Sequence, residues 1–222
     1  MQAEGSKKTP EYFAQRRQEM LPLIPGTAKR ILDVGCGAGE FGSLLKEERG
    51  VEVWGVEVEP QAVKLAAAKL DRVLEGYFHA ELHLPEQNFD AIVFNDVLEH
   101  MIDPWQALRY CHRLLTPTGV IVSSLPNVLY WPNLKELLLE QDWQYREEGI
   151  LDETHLRFFT RKSGHRLFAT TGYEVIHCEG INPCPPFRLP LRLLNWATRG
   201  RLSDWRYLQF GFVARPVRMP GF

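Results

Sequence analysis

The sequence predicts an α/β fold: a doubly wound, mostly parallel sheet with helices on both faces. Three observations support this prediction. Apolar, β-branched runs typical of buried strands alternate with segments of helical periodicity along most of the 222 residues. A glycine-rich turn follows the first of these runs and leads into a predicted helix, as in a parallel crossover unit. Two strand-like runs close the chain with no matched crossover helix between them, which permits an antiparallel pair at one edge.

The predicted elements alternate in order along the chain. A leading helix is expected over residues 9–24, with Thr9 as its N-cap and Pro10 at its first helical position. A turn is expected at "TPTG", residues 116–119. Further helices are expected over residues 40–49, 60–70, 104–115 and 163–171. Strands are expected over residues 30–34, 51–58, 71–76, 89–96, 120–126, 173–181 and 207–215.

Composition and charge are typical of a soluble globular protein. Apolar residues make up 45% and charged residues 24% of the chain, and a net charge of −2 gives no overall field that favours nucleic acid or a membrane. The four cysteines lack C-x-x-C spacing, so we expect reduced thiols rather than disulfides or a zinc site. No run is long and apolar enough for a signal peptide or a bilayer span. We therefore expect one domain over residues 1–222, located in the cytoplasm.

The stretch "ILDVGCGAGEFG", residues 31–42, contains two overlapping glycine patterns. Counting from Gly37 gives G-x-G-x-x-G, the pattern of dinucleotide-binding loops, with Gly42 as the third glycine. The predicted strand ends at Val34, however, so Gly35 makes the tight turn that the first glycine of that pattern should make. Gly42 would then lie inside the following helix, where glycine more often serves close packing. The register therefore disfavours a dinucleotide.

A ligand that carries an amino acid and a ribose fits this region better. Glycines at 35, 37 and 39 allow close approach of the backbone and leave amide groups available at the helix start. Asp33 precedes the turn and supplies a negative charge for an ammonium group. Glu57, at the end of the second predicted strand, can accept two hydrogen bonds from a ribose diol. An amino-acid nucleoside such as S-adenosylmethionine has all of these parts, whereas NAD lacks the amino acid.

Four motifs in order extend this reasoning to most of the chain. "LDVGCGAG", "VWGVEVEP", "FDAIVFNDVLEHMIDP" and "LLTPTGVIVSSLPN" resemble the successive motifs of class I S-adenosylmethionine-dependent methyltransferases. Within that family the chain resembles bacterial small-molecule enzymes of the ubiquinone O-methyltransferase type. The segment "GILDETHLRFFTRKS" also resembles a subgroup associated with cell-surface glycan pathways. The resemblance implies a Rossmann-like sheet of seven strands, with the last strand inserted antiparallel beside the sixth.

The resemblance also implies which residues bind the cofactor. Glu57 would bind the ribose, and Val58 would lie beside the adenine. Where the family often has an acidic residue after the third strand, this chain has Tyr77, with Glu81 nearby. S-adenosylmethionine would be the methyl donor and S-adenosylhomocysteine the product. The implied cofactor-binding residues are Asp33, Gly35, Cys36, Gly37, Gly39, Glu57, Val58, Asn95, Asp96 and Val97.

Methyl transfer from a sulfonium is an in-line displacement, so a base is needed only if the acceptor must lose a proton. One candidate base is His100 in "NDVLEHMIDP", where Asp96, Glu99 and His100 would share one face of a helical turn. These three groups could alternatively hold a hard cation, or could simply orient the loop. Because the ligand count is low, we assign no metal site.

The second candidate base is His155, in "LDETHLRFFTRKS". Its ordinary pKa lies near the working pH, which suits general base catalysis. Arg157 could bind an acidic acceptor. Alternatively, Asp152, His155 and Arg157 form a buried network that holds this segment onto the core. Thr160 is expected to be the N-cap of the next helix.

Two insertions are expected to shape the acceptor side. In residues 127–160, the acceptor-site candidates are Asn127, Tyr130 and Trp131, although the same segment has a helical apolar stripe of its own. The basic, aromatic segment 183–206 contains an amphipathic helix over residues 189–198, and residues 187–201 could contact a membrane surface, cover the acceptor or form a dimer contact.

The front of the chain offers a further set of candidates. Tyr12 and Arg16 or Arg17 could close over the cofactor, or could form a solvated helix face.

The sequence therefore predicts an S-adenosylmethionine-dependent methyltransferase that acts on a small molecule, most simply on oxygen. The alternative is a non-catalytic, methyltransferase-like partner protein that binds the same cofactor. Nucleic acid is not expected as a substrate, because the fourth strand lacks an N-P-P-Y motif and basic residues concentrate only in segment 183–206. A monomer and a homodimer are both compatible with the sequence.

Overall fold

The computed structural model describes residues 15–186 and 189–217. Their seven strands form one sheet in the order β3-β2-β1-β4-β5-β7-β6. This arrangement confirms the predicted α/β fold and its mostly parallel sheet. The strands are β1 (Arg30–Val34), β2 (Glu52–Glu57), β3 (Arg72–Glu75), β4 (Phe89–Asn95), β5 (Leu115–Pro126), β6 (Tyr173–Pro183) and β7 (Tyr207–Pro216).

Helices alternate with these strands. Several begin with the capping residues that sequence rules favour: Asp103 accepts from the backbone N–H of Gln106, and Thr160 forms a capping box with Ser163. The α-helices are α1 (Glu40–Arg49), α2 (Pro60–Ala67), α3 (Pro104–Leu114), α4 (Trp131–Lys135), α5 (Arg161–Thr170) and α6 (Leu189–Ala197). Helix α4 continues as a π-helix over Glu136–Glu140, and short 3-10 helices run over Gln18–Leu23, Ala80–Leu82 and Ser203–Arg206.

The order in which the chain adds strands reverses at β1: β2 and β3 lie on one side of it, and β4 and β5 lie on the other. Strand β1 pairs in parallel with β2 on one side and with β4 on the other, so Val34 lies between Val56 and Phe94. At such a switch point the helices diverge to opposite faces of the sheet and leave a crevice at the carboxyl ends of the strands. The segments after β1, β2 and β4 therefore meet at one edge.

The last strand is inserted antiparallel between β5 and β6. This arrangement confirms the antiparallel edge pair that the absence of a crossover helix predicted. Gly180 of β6 faces the ring of Tyr207, where a Cβ atom would come within 2.2 Å of Cγ.

Two expectations about local structure are wrong. "TPTG" does not form a separate turn, because β5 begins at Leu115. The strand bulges there: residues 116–119 of β5 lie opposite the single residue Asp90 of β4, between the pairs Phe89–Leu115 and Ala91–Val120. The leading helix is also different. Thr9 and Pro10 lie outside the described residues, and residues 18–23 form a 3-10 helix because Pro22 has no N–H to continue an α-helix.

The sheet is buried on both faces. One face packs under α3 and α5 through side chains such as Leu108, Leu114 and Phe168, and the other packs under α1 and the first 3-10 helix through Phe41 and Met20. No helix within residues 15–186 and 189–217 combines the length and the apolar character that a bilayer span requires.

Candidate cofactor and acceptor site

The glycine turn begins where the register argument placed it. Strand β1 ends at Val34, and Gly35, Gly37 and Gly39 all have positive φ, at 68°, 53° and 79°. A Cβ atom on Gly35 would lie 2.6 Å from Cγ2 of Val97, so the turn packs directly against the segment after β4. Gly39 then caps α1 without a side-chain hydrogen bond. The turn therefore requires glycine for both conformation and space.

Gly42 has a different role from the other three glycines. It lies inside α1, and a Cβ atom there would come within 2.5 Å of Leu70 Cδ2 and 2.9 Å of Val53 Cγ1. Because Gly42 has no side chain, α1 can approach β2 closely. Gly42 therefore serves the close packing of α1, as expected, and is not part of the glycine turn.

Glu57 ends β2 and is fixed by backbone amides. One carboxylate oxygen accepts from Gly37 N at 2.8 Å, and the other accepts from Val58 N at 2.8 Å and Glu59 N at 3.0 Å. The carboxylate therefore links the glycine turn to the start of α2. Since a carboxylate offers about four acceptor positions, these three bonds leave capacity for a hydroxyl donor.

Asp33 lies beneath the turn and is buried. Burial, and then the nearby negative charge of Glu57, raise the pKa of Asp33 to about 7. A cation placed beside it would favour its ionised form. The neighbouring Cys36 is also buried, and burial together with both carboxylates raises the pKa of its thiol, which keeps it protonated.

Asn95 provides a direct indication that this crevice accommodates a polar ligand. It ends β4, and both its side-chain nitrogen and its side-chain oxygen are buried without a hydrogen-bond partner among the described residues. Leaving such an amide unpaired costs about 1–3 kcal/mol per group, so a ligand with donors and acceptors would be stabilised there. Asn95 and the acids at 33 and 57 together fit an amino-acid nucleoside. The N–H groups of the turn are already engaged: those of Gly35 and Cys36 donate to the carbonyl of Val56, and that of Gly39 donates to the carbonyl of Cys36.

Asp96 is engaged by a network from three other elements. Its carboxylate pairs with Arg17 Nη2 at 2.6 Å, accepts from Ser124 Oγ at 2.6 Å and accepts from Gln209 Nε2. The residue has a left-handed φ of 55°, which turns the chain sharply after β4. Arg17 is largely buried rather than on a solvated face, whereas Arg16 forms an exposed pair with Glu47. Tyr12 lies outside the described residues.

The predicted adenine side is open and apolar. Val58, after β2, and Tyr77, after β3, are both exposed, whereas Phe78 packs edge-on against Phe94 in the core. Exposed apolar side chains at the ends of two adjacent strands suit a planar ring. Glu81 lies in the short 3-10 helix Ala80–Leu82, and its backbone N–H donates to His79 Nδ1 at 3.2 Å.

The segment after Asp96 is a turn rather than a helix, so the expected common face of Asp96, Glu99 and His100 is wrong. Asp96 is bound in its own network, while Glu99 is fully buried and lies beside a residue from a distant segment, His155. The two imidazole rings of His100 and His155 pack edge to face with centroids 4.6 Å apart. Three side chains each place one potential metal-ligand atom here, and these atoms lie within 4.8 Å of one another: those of Glu99, His100 and His155.

Hydrogen bonds orient both histidines. His100 Nδ1 lies 3.0 Å from Thr154 Oγ1, and that hydroxyl is 2.6 Å from Asp152 Oδ1. His155 Nδ1 lies 2.9 Å from the carbonyl of Ile150. Burial, and then the neighbouring His155, lower the pKa of His100 to about 4.

Arg157 holds the loops together. Its guanidinium donates to the carbonyl of Ile102 at 2.7 Å and to that of Leu156 at 2.8 Å, and its backbone N–H donates to the carbonyl of Glu99 at 3.0 Å. These contacts agree with the interpretation in which Arg157 holds this segment onto the core.

The acceptor-site candidates of the first insertion are separated by the fold. Asn127 is fully buried, and its amide donates to the carbonyls of Asp204 at 2.8 Å and Tyr207 at 2.9 Å. Trp131 stacks on Trp205 at 5.9 Å with parallel planes, and Tyr130 precedes it at the start of α4. Segments 127–160 and 183–206 are therefore joined by a stacked aromatic pair.

Helix α6 confirms the predicted helix in the second insertion. Leu189, Leu193, Leu194 and Trp196 are exposed on it, so its apolar side chains are not covered by the described part of this chain.

Sequence reasoning missed three polar side chains of the site. Ser124 of β5, Gln209 of β7 and Thr154 of the first insertion orient Asp96 or His100. Ser124 and Gln209 carried a signal, since each is a polar residue within an otherwise apolar, buried strand and must find a partner.

Comparisons with known proteins identify the family and the fold. Residues 6–178 match the family described as "Methyltransferase domain". The chain is 36% identical over 114 residues, 48% of its length, to the 27-O-demethylrifamycin SV methyltransferase of Amycolatopsis mediterranei, and covers 41% of that protein. It is 31% identical over 144 residues, 62% of its length, to the ubiquinone biosynthesis O-methyltransferase of Idiomarina loihiensis, and covers 54% of it.

The fold is also similar to that of a solved methyltransferase structure. A crystal structure of a SAM dependent methyltransferase from Archaeoglobus fulgidus superposes with a TM-score of 0.68, at 19% identity, over 94% of this chain and 95% of that one. The chain spans about half the length of the curated relatives it matches. The family match over residues 6–178, on a sheet with this topology, establishes that the chain belongs to the S-adenosylmethionine-dependent methyltransferase family.

Proposed function

We propose that this protein transfers a methyl group from S-adenosylmethionine to a small-molecule acceptor, most simply to an oxygen atom. The observation that carries the proposal is the arrangement at the carboxyl ends of β1, β2 and β4. There a glycine turn, the oriented Glu57 carboxylate, the buried Asp33 and the unpartnered Asn95 amide face one crevice. The two relatives at 31–36% identity are both named as methyltransferases, and one is named as an O-methyltransferase.

In this proposal each group has a defined part in holding the donor. Glu57 accepts hydrogen bonds from the ribose hydroxyls. The glycine turn, whose N–H groups at 35, 36, 37 and 39 are bonded within the protein, allows the methionine moiety to approach the backbone closely. Asp33 provides the negative charge for the ammonium group, with Asn95 bonding the same moiety. Gly35, Cys36, Gly37, Gly39 and Val97 form the surrounding backbone, and Val58 lies against the adenine.

The sulfonium supplies an activated methyl group, so the protein's task is alignment and exclusion of water. Asp96, fixed by Arg17, Ser124 and Gln209, shapes the wall between donor and acceptor. We expect the acceptor to be enclosed by the segments that contain Tyr130, Trp131, Arg157 and Asn127. Asn127 would act indirectly, because its amide holds the backbone of Asp204 and Tyr207 in place.

We propose His100 as the group that accepts a proton from an acceptor hydroxyl, with His155 beside it. Since Thr154 Oγ1 has one proton and lies 2.6 Å from the Asp152 carboxylate, it donates there and accepts from His100 Nδ1. The basic lone pair of His100 is therefore on Nε2. A pKa near 4 keeps the ring neutral at physiological pH, so the Nε2 lone pair is available, but it also makes His100 a weak base.

The alternative is a partner protein that binds the cofactor without turnover. A transfer assay with S-adenosylmethionine labelled in the methyl group, using cell extract as the source of acceptors, separates the two functions. Label in a small-molecule fraction supports the enzyme. Cofactor binding by calorimetry without labelled product from any extract would instead support the partner protein.

The exposed apolar side chains of α6 favour one further candidate, contact of residues 187–201 with a membrane surface. Co-sedimentation with anionic liposomes tests this contact, and recovery of all protein in the supernatant would remove it. The oligomeric state, monomer or homodimer, is a separate measurement by light scattering.

A further inference from the structure

A buried cluster on the acceptor side contains three metal-ligand groups from two distant segments. Glu99 and His100 follow β4, and His155 belongs to the loop before α5. Their candidate ligand atoms lie within 4.8 Å of one another, and His155 Nε2 is 3.9 Å from Glu99 Oε1. At 3.9 Å these two atoms are too far apart for a hydrogen bond. The two histidine rings also pack edge to face, so the three side chains form one contiguous group.

Glu99 is the group that most needs a partner. It is fully buried, and both carboxylate oxygens lack a hydrogen-bond partner among the described residues. Its backbone carbonyl, in contrast, accepts from the N–H groups of Leu156 and Arg157, which fix its position. A buried carboxylate without a hydrogen bond or a cation is costly, and a bound cation would remove that cost.

The hydrogen bonds on the histidines leave the right nitrogen for a ligand. The carbonyl of Ile150 can only accept, so His155 carries its proton on Nδ1. His100 carries its proton on Nδ1 as well, because it donates to Thr154 Oγ1. In both rings the lone pair is therefore on Nε2. Histidines that bind metals are held in this way, with the second nitrogen donating to a carbonyl or to a side chain linked to a carboxylate.

We propose that Glu99, His100 and His155 bind a divalent first-row transition-metal ion, with zinc as the best matched probe. Two imidazoles and one carboxylate form the donor set of an open zinc site, whereas magnesium and calcium prefer oxygen ligands alone. Bonds of about 2.1 Å place tetrahedral ligand atoms about 3.4 Å apart, so ligand atoms that lie up to 4.8 Å apart must close by up to about 1.4 Å on binding.

The position of the cluster gives such an ion a use, which rests on the proposed function. Glu99 follows Val97 by two residues, and Val97 packs on Gly35 of the glycine turn. Three protein ligands leave a coordination position for an acceptor oxygen. With the ion bound, Nε2 of His100 would be a ligand and would no longer accept the acceptor's proton. The metal would take over that task by lowering the pKa of the bound hydroxyl, whose proton leaves to solvent. The substrate class would be hydroxylated acceptors that bind the ion through the oxygen that is methylated.

Calorimetric titration of the chelator-treated, 222-residue chain with zinc chloride, without cofactor or acceptor, tests the site independently of methyl transfer. We expect one zinc ion per chain. Glu99→Gln and His155→Asn should each weaken zinc binding about 100-fold, while His155→Asn keeps a donor near the Ile150 carbonyl. His177→Asn is the matched control. His177 lies 3.4 Å from Glu179 on the exposed surface, so this pair could bind zinc nonspecifically.

Zinc affinity that is unchanged in both ligand variants, or lost in His177→Asn, would overturn the proposal. Circular dichroism of each metal-free variant verifies that it is folded. A titration of the unmodified protein with cobalt chloride needs no variant: visible bands stronger than those of aqueous cobalt are expected, and an aqueous spectrum would contradict the site. Binding of S-adenosylhomocysteine, measured on the same samples, reports separately on the proposed function.

Discussion

The two sides of the crevice are built in different ways. The cofactor side consists of the turn after β1 and the end of β2, where Glu57 binds the backbone of residues 37, 58 and 59. The acceptor side joins the turn after β4 to the loop around residues 150–157, through side chains that are more than fifty residues apart. The first is specified by local backbone geometry, whereas the second depends on the tertiary packing of loops.

This difference predicts where substitutions act. Changes on the cofactor side should alter cofactor affinity strongly, because few rearrangements can replace a backbone conformation. Changes on the acceptor side should leave cofactor affinity intact and affect the acceptor or the reaction.

Gly35→Ala is expected to abolish detectable binding of S-adenosylhomocysteine. The new Cβ atom would meet Val97 at 2.6 Å on a residue with φ of 68°, so the turn must move. Gly50→Ala is the matched control, since it has a φ of 61° but open space around it. The control should lose about 1 kcal/mol of stability and retain binding. Equal losses of binding in both variants, measured by calorimetry, would argue against a specific role for the turn.

Glu57→Ala is expected to weaken cofactor binding about 100-fold. Each hydrogen bond to a charged group contributes about 1.5–3 kcal/mol, and the carboxylate also orients Gly37. Glu59→Ala removes the neighbouring carboxylate, whose side chain only caps α2, and should change affinity little. A similar affinity for the two variants would show that Glu57 does not bind the ribose.

Asp33→Asn should separate stability from binding. The pKa of Asp33 is raised in the folded state, so its contribution to stability is complete below its unfolded pKa and is lost as the pH rises through about 7. The variant cannot ionise and should therefore be more stable at pH 8, by on the order of a few kcal/mol, while binding the cofactor more weakly. Thermal unfolding and calorimetry measure the two effects.

The same carboxyl gives a pH dependence. Between pH 6 and 7.5, cofactor affinity should rise as Asp33 ionises, and this slope should disappear in Asp33→Asn. An equal slope in both proteins would assign the dependence to another group.

Thr154→Val should have the smallest effect. It removes the hydroxyl that links His100 Nδ1 to Asp152 and should change the tautomer populations of the His100 ring, which nitrogen-15 spectra report. Cofactor affinity should not change, because the residue lies on the acceptor side. Thr170→Val, on the exposed surface of α5, is the control.

The comparison also explains what the sequence could predict. The turn at Gly35, the end of β2 at Glu57 and the antiparallel last strand follow from local patterns and from the lack of a crossover helix. The bulge at residues 116–119 did not, because it depends on pairing with β4. The approach of His155 to Glu99 and the bonds from Gln209 to Asp96 join distant segments, and a single sequence carries no signal for such pairs.

Calorimetric titration of the unmodified protein with S-adenosylhomocysteine and, in parallel, with NADH tests the central claim most directly. The account predicts binding of one S-adenosylhomocysteine per chain and no binding of NADH, because the turn at Gly35, Asp33 and Glu57 fit an amino-acid nucleoside. Binding of NADH without binding of S-adenosylhomocysteine would contradict it.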